Sequence, residues 1–118
     1  MVIKLKRVYD KPERTDGVRI LVDRLWPRSL TKDKAGLDEW MRDIAPSNGL
    51  RIWFGHKPER WKEFQKRYKK ELSSPEKKTI LAKLRKIGRI STMTFLYAAK
   101  DTDRNNAVAL AGLLKWKK

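Results

Sequence analysis

The chain has 118 residues, 30 of them Lys or Arg against 14 Asp or Glu, for a formal net charge of +16, and it contains no cysteine. That length fits one domain, and an apolar share of 40% with five tryptophans is enough for a real core. The missing cysteines exclude a disulfide scaffold, a cysteine zinc site and a thiol nucleophile, and no stretch approaches the roughly 20 apolar residues of a membrane span.

From the N-terminus, Val2–Tyr9 alternates Ile3 and Leu5 with Lys4 and Lys6, the period-2 pattern of a strand with one wet face. This alternation also lacks the unbroken apolar run of a signal peptide, so the expected location is the cytoplasm. Asp10–Gly17 reads as a loop through Pro12 and the Asp16-Gly17 pair, and Val18–Asp23 is a β-branched run that predicts a buried strand. An eight-residue loop is short for a helical crossover, so these two strands are expected to be antiparallel or joined unusually tightly. Pro27 then ends the strand region. Leu37, Trp40, Met41 and Ile44 fall at helical spacing ahead of Pro46 and predict an amphipathic helix.

Ser47–Phe54 reads as a short helix ending at Gly55. Pro58 opens a longer helix whose apolar face is Trp61, Phe64, Tyr68 and Leu72. Ser74-Pro75-Glu76 is a helix start, with an N-cap hydroxyl, Pro in the first turn and an acid favourable to the dipole. Ile80, Leu81, Leu84 and Ile87 continue that helix, with Gly88 placed to cap its end. Ile90–Ala98 is the strongest strand signal and is expected at the centre of the sheet. Ala107, Val108, Ala111 and Leu114 mark a closing helix, with Asp101 or Asp103 as its cap.

The charge is concentrated. Residues 57–89 carry 13 basic and 4 acidic side chains, more than half of the whole excess. Lys62, Lys66, Lys69 and Lys70 recur at helical spacing, as do Lys78, Lys83 and Lys86 with Arg85 on the next helix. Such a surface tracks phosphates without reading base sequence, which makes RNA, DNA or another polyanion the expected partner. The interleaved Trp61, Phe64 and Tyr68 keep core-face spacing and are read as packing residues rather than base stackers. A membrane partner is not expected, because no strongly apolar exposed face accompanies the charge.

A second cluster belongs to the strand ends, where open α/β sheets tend to bind ligands. Asp23, Arg24, Trp26 and Arg28 follow the second strand. Lys100, Asp101, Asn105 and Asn106 follow the last one and lead into a helix N-terminus. Arg24, Arg28, Lys100, Asn105 and Asn106 are the candidate anion-binding set, since forked guanidinium groups and a lysine suit phosphate oxygens and none of these residues builds core. The competing structural reading pairs Asp23 with Arg24, puts Trp26 in the core and makes Asp101 a helix cap. His56, the only histidine, and Asp23 are the candidate proton-transfer groups. No nucleophile elbow, glycine-rich phosphate loop or metal-ligand spacing is present, and no cofactor or metal is expected. Asp38, Glu39 and Asp43 are taken as the solvated side of the helix predicted there.

The run Leu21-Val22-Asp23-Arg24-Leu25-Trp26-Pro27-Arg28 resembles the YeaO-like proteins, a branch of a domain-of-unknown-function family. The likeness continues through Leu37-Asp38-Glu39-Trp40, Ala45-Pro46-Ser47, Trp53-Phe54-Gly55-His56 and Pro58-Glu59-Arg60-Trp61. It resumes at Leu96-Tyr97-Ala98-Ala99-Lys100-Asp101 and Asn105-Asn106-Ala107, so it covers nearly the whole chain. The resemblance implies an α/β fold and assigns no activity. Other branches of the family place a Cys and a Cys-His-Arg cluster around the last strand. Here that stretch reads Ala98-Ala99-Lys100-Asp101 and Arg104-Asn105-Asn106, without the thiols, and with Arg104 where many YeaO-like chains have His.

The expected architecture is therefore one α/β domain over residues 1–118. It has about three strands in a mixed or parallel sheet, flanked by four to five helices. The expected function is non-catalytic binding of nucleic acid or another phosphate-bearing polyanion, through the basic helices and the strand-end anion pocket. The alternative is a small cytosolic enzyme acting on an anionic, phosphorylated metabolite in that same pocket.

Overall fold

The computed structural model describes residues 1–116. Four strands, β1 (Ile3–Arg7), β2 (Val18–Leu21), β3 (Glu39–Trp40) and β4 (Met93–Tyr97), form a fully parallel sheet in the order β1-β4-β2-β3. The helices are α1 (Lys32–Ala35), α2 (Asn48–Phe54), α3 (Trp61–Glu71), α4 (Pro75–Ile90) and α5 (Asn106–Trp116). The fold is α/β as the sequence indicates, with a fourth, two-residue strand beyond the three that the pattern reveals. No helix among the described residues is long and apolar enough to cross a membrane.

β4 is central and fully buried along all five residues, which explains its unbroken apolar reading. It separates β1 from β2, which are parallel to each other but not neighbours. Of the two expectations for this pair, the tight join is the one realised. The ten residues from Val8 to Gly17 can reach about 33 Å. A five-residue strand needs only about 17 Å of return, so no helix is required. Gly17 closes the return at φ 65°, where its missing side chain leaves room for Val18 N to donate to the Thr92 carbonyl at 2.9 Å.

The two faces of the sheet are covered unequally. Ile3, Ile20, Val22, Met93, Phe95 and Tyr97 point into one large core roofed by α2 to α5. The opposite face carries a small cluster of Val8, Leu21, Ala35 and Leu96, closed by loops, α1 and the half-buried Trp26, Leu30, Leu37 and Trp40.

This split explains the one element that the periodicity misassigned. No helix spans residues 37–44. Gly36 stops α1 in the left-handed region (φ 58°, ψ 45°). Asp38 N then donates to Arg19 O and Met41 N to Leu21 O, both at 2.9 Å, so the segment joins the sheet as β3. The apolar stripe is shared between two cores, with Leu37 and Trp40 on one face and Met41 and Ile44 on the other. Asp38, Glu39 and Asp43 accordingly do not form one side of a helix. They lie on the sheet edge and in the short turn that follows it.

Two expected caps also differ. α4 runs past Gly88 to Ile90, and Gly88 is buried where an added Cβ would lie 2.8 Å from Met1 Cγ and 3.0 Å from Met93 Cε. It is a close-approach glycine and not a terminator. The α5 cap is Asn105, whose Oδ1 accepts from Val108 N at 3.0 Å. Asp101 instead accepts from Asp103 N and Arg104 N in the turn before it. Ser74 caps α4 as its position predicts, while Ser47 precedes α2 as its N-cap and Gly55 ends that helix at φ 52°.

Candidate functional site

α3 is amphipathic. Phe64 and Tyr68 are buried, Trp61 is half-buried, and Lys62, Lys66, Arg67, Lys69 and Lys70 are exposed. Its aromatics do pack: Phe64 stacks on Phe54 at 4.5 Å and on Trp61 at 5.6 Å, and the Tyr68 hydroxyl donates to Ile44 O at 2.6 Å. Burial drives the Tyr68 phenol far above its ordinary value, so it stays protonated as that donor. On α4, Lys78, Lys83 and Lys86 are exposed. Of the seven candidate lysines only Lys83 has a carboxylate partner among the described residues, Glu39 at 2.9 Å. On α3, Arg67 pairs with Glu63 at 3.0 Å.

The strand-end residues are brought to one end of the sheet, and most of their polar atoms are used there by the chain itself. Asp23 accepts from Ala98 N at 2.9 Å and from Asn106 Nδ2 at 3.1 Å, tying the end of β2 to the end of β4 and the start of α5. Asn106 Nδ2 also donates to Val22 O at 2.9 Å. Burial raises the Asp23 carboxyl above its ordinary range, against the pull of these two donors and of His56 nearby. Arg24 does not pair with Asp23. Its Nε and Nη2 donate to Pro46 O at 3.0 Å and Ala45 O at 3.3 Å, clamping the turn before α2. Asn105 is buried, and besides capping α5 its Nδ2 donates to Asp101 O at 2.9 Å. Arg28 and Lys100 are exposed. His56 is exposed in the left-handed region (φ 57°) directly after Gly55, its ring 6.2 Å from Phe54.

Two aromatic surface features were not singled out by spacing. Trp53 is covered by two guanidinium groups, Arg67 at 4.1 Å and Arg60 at 4.9 Å from the ring centroid. Trp40 meets Trp26 edge to face at 5.3 Å and carries Arg42 at 5.0 Å. An open recess of about 260 Å³ is lined by Trp26, Trp40, Leu37, Lys32, Asp38 and Glu39. A second, of about 210 Å³, shares Trp40 and Glu39 and is bordered by Arg42, Ile80 and Lys83. Read as a helix, residues 37–44 give no hint of this; only the pairing of Glu39 and Trp40 with β2 turns the indole to a sheet edge. Among the described residues, no group of three or more His, Asp or Glu is placed to hold a metal ion.

The model of a family described as the "Inactive DUF488-N3 subclade" matches residues 2–117. An uncharacterised protein named YeaO from Escherichia coli K12 is 43% identical over 98% of both chains. An uncharacterised protein from Mycobacterium tuberculosis H37Rv is 41% identical over 95% of this chain and 92% of its own. No solved structure matches the chain. The same sheet-end residues, read first as motifs and then as one hydrogen-bonded end of a parallel sheet, thus sit in a chain that belongs to the YeaO-like DUF488 family.

Proposed function

We propose that the protein is a non-catalytic binder of nucleic acid or another phosphate-bearing polyanion, and that α3 and α4 supply the contact surface. The observation that carries this reading is the set Lys62, Lys66, Lys69, Lys70, Lys78 and Lys86, all exposed and none paired with a carboxylate among the described residues. Surfaces that gain stability from charge pair Lys with Glu; unpaired lysines raise self-repulsion and are offset when phosphates release their counterions on binding. Arg28 and Lys100 are the members of the strand-end set that remain exposed to join such a contact. The matching family model's own description, an inactive subclade, supports the non-catalytic form. Against the catalytic alternative, the Asp23 carboxylate, Arg24 Nε and Nη2 and Asn106 Nδ2 are engaged by the chain's own backbone or by one another.

The test is binding of labelled RNA and duplex DNA between about 50 and about 200 mM salt, with wild type and Lys66→Glu/Lys70→Glu compared. Wild type should keep measurable affinity at the upper end. The double variant should bind more weakly, with a salt slope shallower by about 2, since each phosphate contact contributes about 0.9. Equal affinity and slope in the two proteins would remove α3 from the interface.

A further inference from the structure

We propose that the recess between Trp26 and Trp40 receives an unpaired base of a single-stranded nucleic acid; this rests on the polyanion reading above and names the form of nucleic acid bound. Both rings are fixed by their polar edges. Trp26 Nε1 donates to Leu30 O at 2.7 Å and Trp40 Nε1 to Asp23 O at 2.8 Å, so the indoles are held in place with their hydrogen-bonding capacity spent. Arg42 covers one side of Trp40, which also meets Trp26 edge to face, so what remains for a ligand is the part of the two half-buried indoles that lines the recess. Every base has a π face, so stacking on a preset indole is available to any unpaired base.

The distribution of charge selects which part of a nucleotide enters. Asp38 and Glu39 stand in the wall of the recess, Asp38 accepting from Arg19 N at 2.8 Å and Glu39 paired with Lys83. A phosphate placed inside would meet these carboxylates. The exposed cations Lys32 and Arg42 lie at the borders of the two recesses, where a backbone phosphate can stay in water. A neutral flat heterocycle suits the interior, and carboxylate oxygens can accept from an exocyclic amino group such as that of cytosine. A volume of about 260 Å³ lies below the range of about 300–1,000 Å³ typical of drug-sized ligand sites, which favours a base over an entire dinucleotide cofactor. Continuity places the strand: Lys83 belongs to the α4 row with Lys78 and Lys86, so a backbone following that row arrives at the Trp40 edge. A duplex keeps its bases stacked inside and must first unpair one to fill the recess.

The test compares a short oligo(dC), an abasic strand of equal length and charge, and the matching duplex, all at the same salt. Wild type should bind the base-bearing strand about tenfold or more tighter than the abasic one. Trp26→Leu and Trp40→Leu, checked for unchanged circular dichroism and melting, should bind the two strands alike. Because a tryptophan variant can fail to fold, photocrosslinking of wild-type protein to an iodocytosine-bearing strand supplies a second readout, with the adduct expected on a peptide containing Trp26 or Trp40. Equal binding of base-bearing and abasic strands, or adducts confined to α3, would overturn the base site while leaving polyanion binding intact. Absence of binding to all three, and to heparin, would overturn both.

Discussion

Asp16 has no exposed surface, yet its carboxylate is ionised, because it meets three cations at once. Arg19 Nη1 lies at 2.5 Å, Lys6 Nζ at 3.1 Å and Lys4 Nζ at 3.4 Å, and Glu13 N donates a further bond at 3.0 Å. Burial alone would push this carboxyl up, but the Glu13 amide and the Lys6 and Arg19 side chains outweigh it and hold the group far below the ordinary range. A depressed folded-state value means that the stabilisation is full above the unfolded carboxyl value near pH 4. It is lost as pH falls below that point. Asp16→Asn leaves buried Arg19 without its counter-charge and should cost about 3–5 kcal/mol, seen as a lower urea midpoint at unchanged slope. Melting of wild type should drop as pH falls below about 4, more steeply than that of the variant. Parallel curves would show that the acid sensitivity lies elsewhere. The sequence displays the Asp16-Gly17 pair as a turn and nothing more, because the partners Lys4 and Lys6 read as the wet side of a strand until the returning loop folds over them.

At the level of elements, legibility followed the number of cores that an element serves. α3 and α4 each face a single core, so their 3.6-residue stripes and their Ser-Pro start were readable directly. Residues 37–44 serve two cores and are fixed by backbone pairing to β2, which no local pattern encodes, so their spacing imitates a helix. The strand-end set was likewise legible as a cluster and not as a division of labour. Asp23 and Asn106 meet at the sheet end while Arg24 turns to the loop before α2, and which carbonyl each polar atom meets depends on how that loop and the start of α5 dock. The readable part gives a direct test. Phe64 is 2% exposed and packs against both Phe54 and Trp61, which also touch each other, and Phe64→Ala removes the most buried ring of that cluster. The loss should be about 3–5 kcal/mol by chemical denaturation. A change within about 0.5 kcal/mol would mean that α3 is held by its termini and not by its aromatic face.

For the molecule as a whole, the covering of the sheet and the placement of charge point to one consequence. Four helices crowd one face, and the outermost surfaces of two of them carry the unpaired lysines, while the other face is closed by loops around a compensated buried charge cluster. The net charge of +16 is therefore mostly a surface field, and it opposes compaction. Screening length falls from about 10 Å at 0.1 M salt to about 3 Å at 1 M, which weakens repulsion between lysines on the surface but hardly touches the pairs around Asp16. Sodium chloride should thus raise the melting temperature, by several degrees if about 1 kcal/mol of repulsion is relieved. A bound polyanion acts differently, since it stabilises the folded chain in proportion to the logarithm of its concentration over its dissociation constant. At about 50 mM salt, heparin or a single-stranded oligonucleotide should raise the melting temperature well beyond what its ionic strength explains, and about 0.5 M salt should erase that increment while keeping the one due to salt. A melting temperature that falls with sodium chloride would show that ion pairs, and not repulsion, dominate this surface, and would count against a surface shaped for phosphates.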